Sequence, residues 1–419
     1  MRKEKVLVVL LNINNEYSDD EIKYQILELS ELVRASGGEV VFEVIQNASK
    51  VNPKYFIGSG KAQEIKEISD NHEVDTIVFN HELTGSQIKN LESTIERKIV
   101  DRTGLILDIF ATRAKTKESK LQVKLAQLEY RLPRLVGFRN YLSREGAGIG
   151  TRGPGEQKLE MDRRSIQREI SSIKNRLETE FQIRNTKRKR RINSNIKVCS
   201  LIGYSNSGKS TILNGISNIY GSNNKSVYAD DLLFATLETS TRNILLDNGK
   251  DVIISDTVGF VSNLPTKLIE SFKSTLEEIS DSDLLIIVMD ISNDNYDLQL
   301  EATTDILKDL NISDKDILYV FNKMDMNPDF RHYHNFENEI YISAKKSDDI
   351  VRLVNYIQSL LFKEYDYYKV NIPYSEYDNI KHAISSELKD KQEFNEIGVT
   401  TYLYIPRKDV IKYSKYMVD

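Results

Sequence analysis

The sequence predicts an α/β chain: an N-terminal α/β layer, a long antiparallel helical hairpin, a doubly wound sheet and a small C-terminal α+β domain. Three observations predict it. Short apolar runs alternate with segments of helical periodicity up to about residue 110, and again over 196–362. Between these regions leucines and isoleucines step by four and three in two arms, on either side of a glycine-rich stretch. Finally, Gly203-Tyr204-Ser205-Asn206-Ser207-Gly208-Lys209-Ser210-Thr211 fits G-x-x-x-x-G-K-[ST], with an apolar run before it and a helix-like segment after it. The expected domains are 1–112, 113–193, 194–364 and 365–419.

In the first region Val6–Ile13 reads as a strand. Ser18-Asp19-Asp20-Glu21 opens a helix with a hydroxyl and acids at its N-terminus. Ile22, Ile26, Leu29, Leu32 and Val33 then recur at helical spacing, and Gly37-Gly38 ends the helix. Val40–Ile45, Val74–Phe79 and Ile99–Asp101 are further strands, with helices at about 61–71 and 84–96. Such alternation implies a largely parallel sheet. Gly58-Ser59-Gly60-Lys61 is a plain helix start or, more sharply, a second nucleotide or RNA-phosphate site.

In the second region Leu121, Leu125, Leu128, Leu132 and Leu135 form one heptad stripe. Leu159, Ile166, Ile170, Ile173 and Leu177 continue it, so these side chains form the core between two arms. Pro133 is expected to kink or end the first arm. The tip, Arg144 to Gly155, holds five glycines and two arginines, Arg144 and Arg152. A flexible basic loop that orders against RNA uses both residue types. Residues 113–191 carry 22 Lys+Arg against 9 Asp+Glu, a net of +13, and end in Lys187-Arg188-Lys189-Arg190-Arg191. The whole chain is at −5, so the remainder carries −18. A basic module in an acidic protein points to a polyanionic partner, with nucleic acid first.

The third region carries the chemistry. The glycine loop aims backbone N–H groups at phosphate oxygens, Lys209 reaches the β- and γ-phosphates, and the Ser210 hydroxyl serves Mg²⁺. The runs Asp251–Asp256, Leu284–Asp290, Ile317–Phe321 and Ile340–Ile342 read as strands, and helices fit at about 209–219, 265–279, 296–310 and 347–362. Every loop motif lies at a strand's carboxyl end, where doubly wound sheets bind ligands. Asp256-Thr257-Val258-Gly259 supplies a carboxylate for Mg²⁺ and a backbone N–H for the γ-phosphate. Asn322-Lys323-Met324-Asp325 selects the base, because ionised Asp325 accepts from guanine's N1–H and exocyclic amine whereas adenine offers no such pair. Ser343-Ala344-Lys345 adds a backbone contact to the guanine oxygen. Thr236, within Phe234-Ala235-Thr236, fits a switch threonine that closes on Mg²⁺; Thr239, Ser240 and Thr241 are rivals. In the tail, Tyr368–Pro373 and Thr400–Ile405 are expected strands and Ser375–Leu388 a helix.

Residues 196–345 resemble the small P-loop GTPases of translation, and the chain as a whole resembles the HflX family of ribosome-associated GTPases. Asp101-Arg102-Thr103-Gly104-Leu105-Ile106-Leu107-Asp108, Lys120-Leu121-Gln122-Val123 and Leu132-Pro133-Arg134-Leu135 carry the likeness. So do Gly153-Pro154-Gly155-Glu156 with Leu159-Glu160-x-Asp162-Arg163-Arg164, Phe234-Ala235-Thr236-Leu237 and Asp256-Thr257-Val258-Gly259-Phe260. The resemblance implies that the N-terminal layer and hairpin bind the large ribosomal subunit, that the tip reaches its RNA in the peptidyl-transferase region, and that ribosomes are split. It also implies GTP, GDP and Mg²⁺ as ligands, with ATP as a candidate for the N-terminal domain.

Where Ras-like enzymes place a water-orienting glutamine after the D-x-x-G glycine, this chain has Phe260, and a phenyl ring cannot orient water. Slow intrinsic hydrolysis follows, with the missing element supplied or positioned by a partner. Asn206 is either a K⁺ ligand against the phosphates or a polar loop residue bonding its own backbone. Two alternative functions stand beside ribosome splitting: a ribosome-assembly or subunit-sequestration GTPase, and an RNA-remodelling unit driven by ATP.

Composition sets outer bounds. Charged residues make up 29% and hydrophobic residues 40% of the 419, as in globular domains. The single cysteine, Cys199, excludes a disulfide framework and reads as a core residue. The run Val6–Leu11 is too short for a signal peptide, and no apolar run reaches membrane-spanning length. A cytoplasmic monomer is expected, free, ribosome-bound or peripheral to a membrane.

Overall fold

The computed structural model describes all residues except 1, 137–153, 194–195, 222–232, 235–239, 258, 263–278, 294, 310–311, 313, 381–383, 385–391 and 419. The chain divides into two compact units. The first is drawn from Met1–Lys187, Asp230–Glu238 and Val258–Thr275; the second is drawn from Arg188–Ala229, Thr239–Thr257 and Leu276–Asp419.

The first unit is built on a four-stranded parallel sheet in the order β2-β1-β3-β4. Its strands are β1 (Lys5–Ile13), β2 (Glu39–Ala48), β3 (Thr76–Phe79) and β4 (Lys98–Asp101). The seven residues Val6–Asn12 of β1 are buried, as expected of a central parallel strand covered on both faces. Helix α1 (Asp19–Ala35) starts where Ser18 predicts: the Ser18 side chain takes the Glu21 N–H, and Glu21 reaches back to the Ser18 N–H. Helices α2 (Ser59–His72), α3 (Gly85–Ile95) and α4 (Arg102–Arg113) follow. The sequence reading missed α4, because its family-like motif masks an ordinary amphipathic helix. Asp101 caps it by accepting from the Gly104 N–H at 2.8 Å.

The hairpin arms are α5 (Lys117–Val136) and α6 (Pro154–Asn193). Leu121, Leu125, Leu128 and Ile173 form a buried cluster, with Ile166, Ile170 and Leu177 packed on it. These seven positions of the heptad stripe are core, as expected, whereas Leu132 and Leu135 are half-buried outside the cluster. Lys117 pairs with Glu180 at 2.6 Å and Glu129 with Lys174 at 2.8 Å, which fixes the arms as antiparallel. Pro133 does not end α5, which runs three residues further. Arg144 and Arg152 of the tip lie outside the described residues, and Pro154 and Gly155 open α6.

The second unit contains a six-stranded sheet in the order β10-β9-β8-β5-β7-β6. Its strands are β5 (Lys197–Gly203), β6 (Ser240–Leu245), β7 (Asp251–Asp256), β8 (Leu284–Asp290), β9 (Asp316–Asn322) and β10 (Glu339–Tyr341). All pairings are parallel except β6 with β7. Helices α7 (Lys209–Tyr220), α8 (Tyr296–Asp309) and α9 (Ser347–Leu361) match expectation to within a residue or two. The helix expected over 265–279 lies almost wholly outside the described residues. Strand β6 was not anticipated; it sets two rivals of Thr236, Ser240 and Thr241, opposite Asp256 and Ser255. Cys199 is fully buried in β5, and burial pushes its thiol pKa up.

The tail forms an antiparallel sheet of β11 (Tyr365–Pro373), β12 (Glu393–Phe394) and β13 (Gly398–Pro406) in the order β11-β13-β12. Of the helix expected over Ser375–Leu388, residues 381–383 and 385–388 lie outside the described residues; among the described ones α10 (Tyr377–Ile380) is helical, and Ile384 is buried and bridges to Leu403.

Candidate nucleotide site

In the second unit the glycine loop joins β5 to α7 as the motif requires. Gly203 has φ of 141°, and a Cβ there would fall 2.3 Å from the Val288 carbonyl oxygen on the adjacent strand. Gly208 has φ of 97°, and its Cβ would fall 2.2 Å from Asn322 Nδ2. Both positions are closed to side chains by sterics as well as by conformation. Asn206, between them, is also left-handed, with φ of 64°. Ser207 is fully buried, and its hydroxyl has no hydrogen-bond partner among the described residues. An orphaned hydroxyl in a loop of this shape fits a ligand that supplies acceptors.

Lys209 is buried, and its ammonium donates to the Tyr204 carbonyl at 2.7 Å and the Gly203 carbonyl at 3.1 Å. Burial pushes its pKa down to about 8, with Asp256 pulling the other way. Ser210 Oγ donates to Asp256 Oδ2 at 2.6 Å, and Asp256 is fully buried at the end of β7. Two hard oxygens therefore meet at one point, a donor set that suits Mg²⁺. Thr257 spends its hydroxyl on the Leu201 carbonyl at 2.8 Å, so its side chain secures the sheet.

Three loops converge at Asn322. Its Nδ2 donates to the Ser207 carbonyl and its Oδ1 accepts the Ala344 N–H, both at 2.9 Å. Within Ser343-Ala344-Lys345, the stretch expected to give guanine a backbone contact, the Ala344 amide is thus engaged by Asn322. Asp325 Oδ1 accepts from Ser343 Oγ at 2.7 Å, and Lys345 stands 3.6 Å from Oδ2. The Ser343 hydroxyl, chiefly, holds the Asp325 pKa below the usual carboxylate range. Sequence reading missed two supports. Asp290, at the end of β8, holds Lys323 Nζ at 2.6 Å, and Asp349, in the first turn of α9, accepts the Ser343 N–H at 2.9 Å. Only Asp290 had left a signal, as the acid that closes an apolar strand.

Comparison with known proteins agrees with this geometry. Three family models match in succession: a GTP-binding GTPase N-terminal region over 23–111, a GTP-binding GTPase middle region over 113–191, and a 50S ribosome-binding GTPase domain over 198–323. The chain is 41% identical over 400 residues to the GTPase HflX of Caldanaerobacter subterraneus subsp. tengcongensis, covering 96% of this chain and 91% of that one. The chain belongs to the HflX family of GTPases. Another member, from Escherichia coli K12, is 37% identical over 362 residues, with 85% of this chain and 84% of that one covered. Among solved structures, a GTP-binding protein from Sulfolobus solfataricus in complex with GDP is 24% identical, with a TM-score of 0.43, covering 85% of this chain and 99% of that one.

As an HflX GTPase the chain is a P-loop GTP hydrolase that binds GTP and GDP. Of the other site residues named from the sequence, Ala235, Thr236 and Val258, with the rival Thr239, lie outside the described residues. Phe234 and Gly259 belong to the first unit, where the Phe234 ring is buried edge-on against Phe110, with centroids 4.7 Å apart. Phe260 is also buried. The N-terminal candidate, Gly58-Ser59-Gly60-Lys61, opens α2. The Gly58 N–H donates to Gln46 Oε1 at 3.1 Å, and Lys61 pairs with Glu64 at 2.7 Å. Among the described residues no helix is long and apolar enough to cross a membrane.

Proposed function

We propose that this HflX GTPase binds the large ribosomal subunit through its RNA and splits ribosomes under stress, as a cytoplasmic monomer whose hydrolysis the ribosome stimulates. The buried Phe260 ring carries this reading: the position that would orient water holds a side chain with no polar atom. The basic hairpin of net +13 supplies the polyanion-binding element. One matching family is described as a 50S ribosome-binding GTPase, which supports a large-subunit partner. The division into 1–112, 113–193, 194–364 and 365–419 gives each task a domain.

In the site, the amides of the Gly203–Thr211 loop cradle the phosphates, Lys209 neutralises the β- and γ-oxygens, and Gly259 donates its N–H to the γ-phosphate. Ser210, Asp256 and Thr236 would hold Mg²⁺, which supplies positive charge to the oxygens on which negative charge builds during transfer. Asn322, Lys323 and Asp325 select guanine. Purified protein is expected to hydrolyse GTP slowly, with a rise of about a hundredfold or more when large subunits are added. A rate that ignores the subunits removes the ribosomal assignment and leaves the GTPase. Exchanging Na⁺ for K⁺ should accelerate hydrolysis about tenfold if Asn206 holds a cation against the phosphates. Equal rates in the two salts return Asn206 to a loop role. An ATP site at Lys61 finds no support in its pairing with Glu64.

A further inference from the structure

Within the first unit, a polar cluster at the carboxyl end of β4 is left unused by the roles above. Asp101, the last residue of β4, is fully buried, and each of its carboxylate oxygens takes two donors. Oδ1 accepts from the Gly104 N–H at 2.8 Å and from the Tyr130 hydroxyl at 2.5 Å. Oδ2 accepts from the Leu83 N–H at 3.0 Å and from Arg134 Nη2 at 2.7 Å. Arg134 Nη2 also donates to the Leu83 carbonyl at 2.8 Å, and the guanidinium lies over the Tyr130 ring, 3.5 Å from its centroid. One carboxylate thus gathers the end of the sheet, the residues before α3, the first turn of α4 and the last two turns of α5. Burial, and then Asp101, pushes the Tyr130 phenol pKa up, so the hydroxyl stays a donor.

Two glycines make room for α5 at this point. A Cβ on Gly85, the first residue of α3, would fall 2.7 Å from the Arg134 carbonyl oxygen, and one on Gly104 would fall 2.9 Å from the Tyr130 hydroxyl. Close approach therefore excludes side chains at both positions. A buried ion pair is a poor source of net stability, because desolvation cancels most of the attraction. What it supplies is direction, through donors and acceptors made stronger by charge. At its other end α5 is joined to α4 by residues 114–116 alone. A helix of 20 residues, about 30 Å long, would swing if held only there. The second hold, at Tyr130 and Arg134, removes that freedom, and the leucine core passes the constraint to α6.

We propose that Asp101, Tyr130 and Arg134 are positioning residues for the polyanionic partner: they latch α5 to the N-terminal layer and so present the basic hairpin in one fixed direction. This rests on the reading that the hairpin binds the large ribosomal subunit. A latched arm meets its partner already oriented, whereas a swinging arm binds only in the fraction of molecules that point the right way. Asp101 and Arg134 both lie in stretches that carry the family likeness, and the latch gives those stretches a task outside the nucleotide site.

The test uses the full-length protein with Tyr130→Phe, with Arg134→Lys, and with the triple variant Asp101→Asn/Tyr130→Phe/Arg134→Met. The triple variant removes both charges together and keeps a residue at 101 that can cap α4. Spin labels on Lys23→Cys in α1 and Arg168→Cys in α6, both exposed positions, report the distance between layer and hairpin. The native Cys199 is fully buried and stays unlabelled. Affinity for purified large subunits and basal GTP hydrolysis are measured on each variant without labels. In the triple variant the distance distribution is expected to broaden and subunit affinity to fall on the order of ten- to a hundredfold, with basal hydrolysis unchanged. Arg134→Lys should lose less, and Tyr130→Phe, which strands no charge, about fivefold. A folded triple variant with the parent's distances and affinity overturns the latch, and if the triple variant does not fold, a parent-like Tyr130→Phe does so. A parent protein that does not bind large subunits sinks the ribosomal reading instead.

Discussion

Lys209→Ala is expected to weaken GTP binding by about a thousandfold, the order seen when one member of a buried, hydrogen-bonded charge pair is truncated. An ammonium has three donors. Two of them are held by the Gly203 and Tyr204 carbonyls, so one remains for phosphate, already aimed by the loop. The same burial makes the interaction depend on pH. The free-state pKa is about 8, and a triphosphate beside the ammonium raises it in the complex. Binding then takes up a proton at any pH between the two values. GTP affinity should be flat below pH 8 and fall above it, by up to about tenfold per unit. Titration calorimetry at pH 8.5, in buffers of different ionisation enthalpy, reads the proton directly. Lys209→Ala should lose the slope together with the affinity, and a slope that survives the substitution would assign the proton elsewhere.

Asp325→Asn should cost GTP about a hundred- to a thousandfold and shift preference towards a base with an oxygen at C2, as in xanthosine triphosphate. Asp325 has its pKa lowered chiefly by the Ser343 hydroxyl, so at neutral pH it is an acceptor that guanine's two donors can satisfy. An asparagine amide offers a donor where guanine also offers one, and facing donors leave each other unpaired. Competition between the two triphosphates on one protein checks this without reference to folding. Retained GTP preference would place base selection outside Asp325.

The fold was legible where a single local pattern decides it. The apolar run of β8, the capping box at Ser18 and the heptad of α5 and α6 each read directly from spacing. Where a competing pattern overlies the local one, the reading failed. Helix α4 was hidden inside a motif, and β6 was hidden among candidate switch hydroxyls. The nucleotide loops were legible because their chemistry is backbone-borne and contiguous. Their supports were harder to read, since Asp349 acts from the first turn of α9, which carries no motif.

The position of Asn322 has a consequence for how the ligand's two ends communicate. One amide group ties the phosphate loop at Ser207 to the base loop at Ala344. If guanine and triphosphate seat on these two loops as proposed, each end is expected to stiffen the seat of the other, so that a mismatched base loosens the grip on its phosphates.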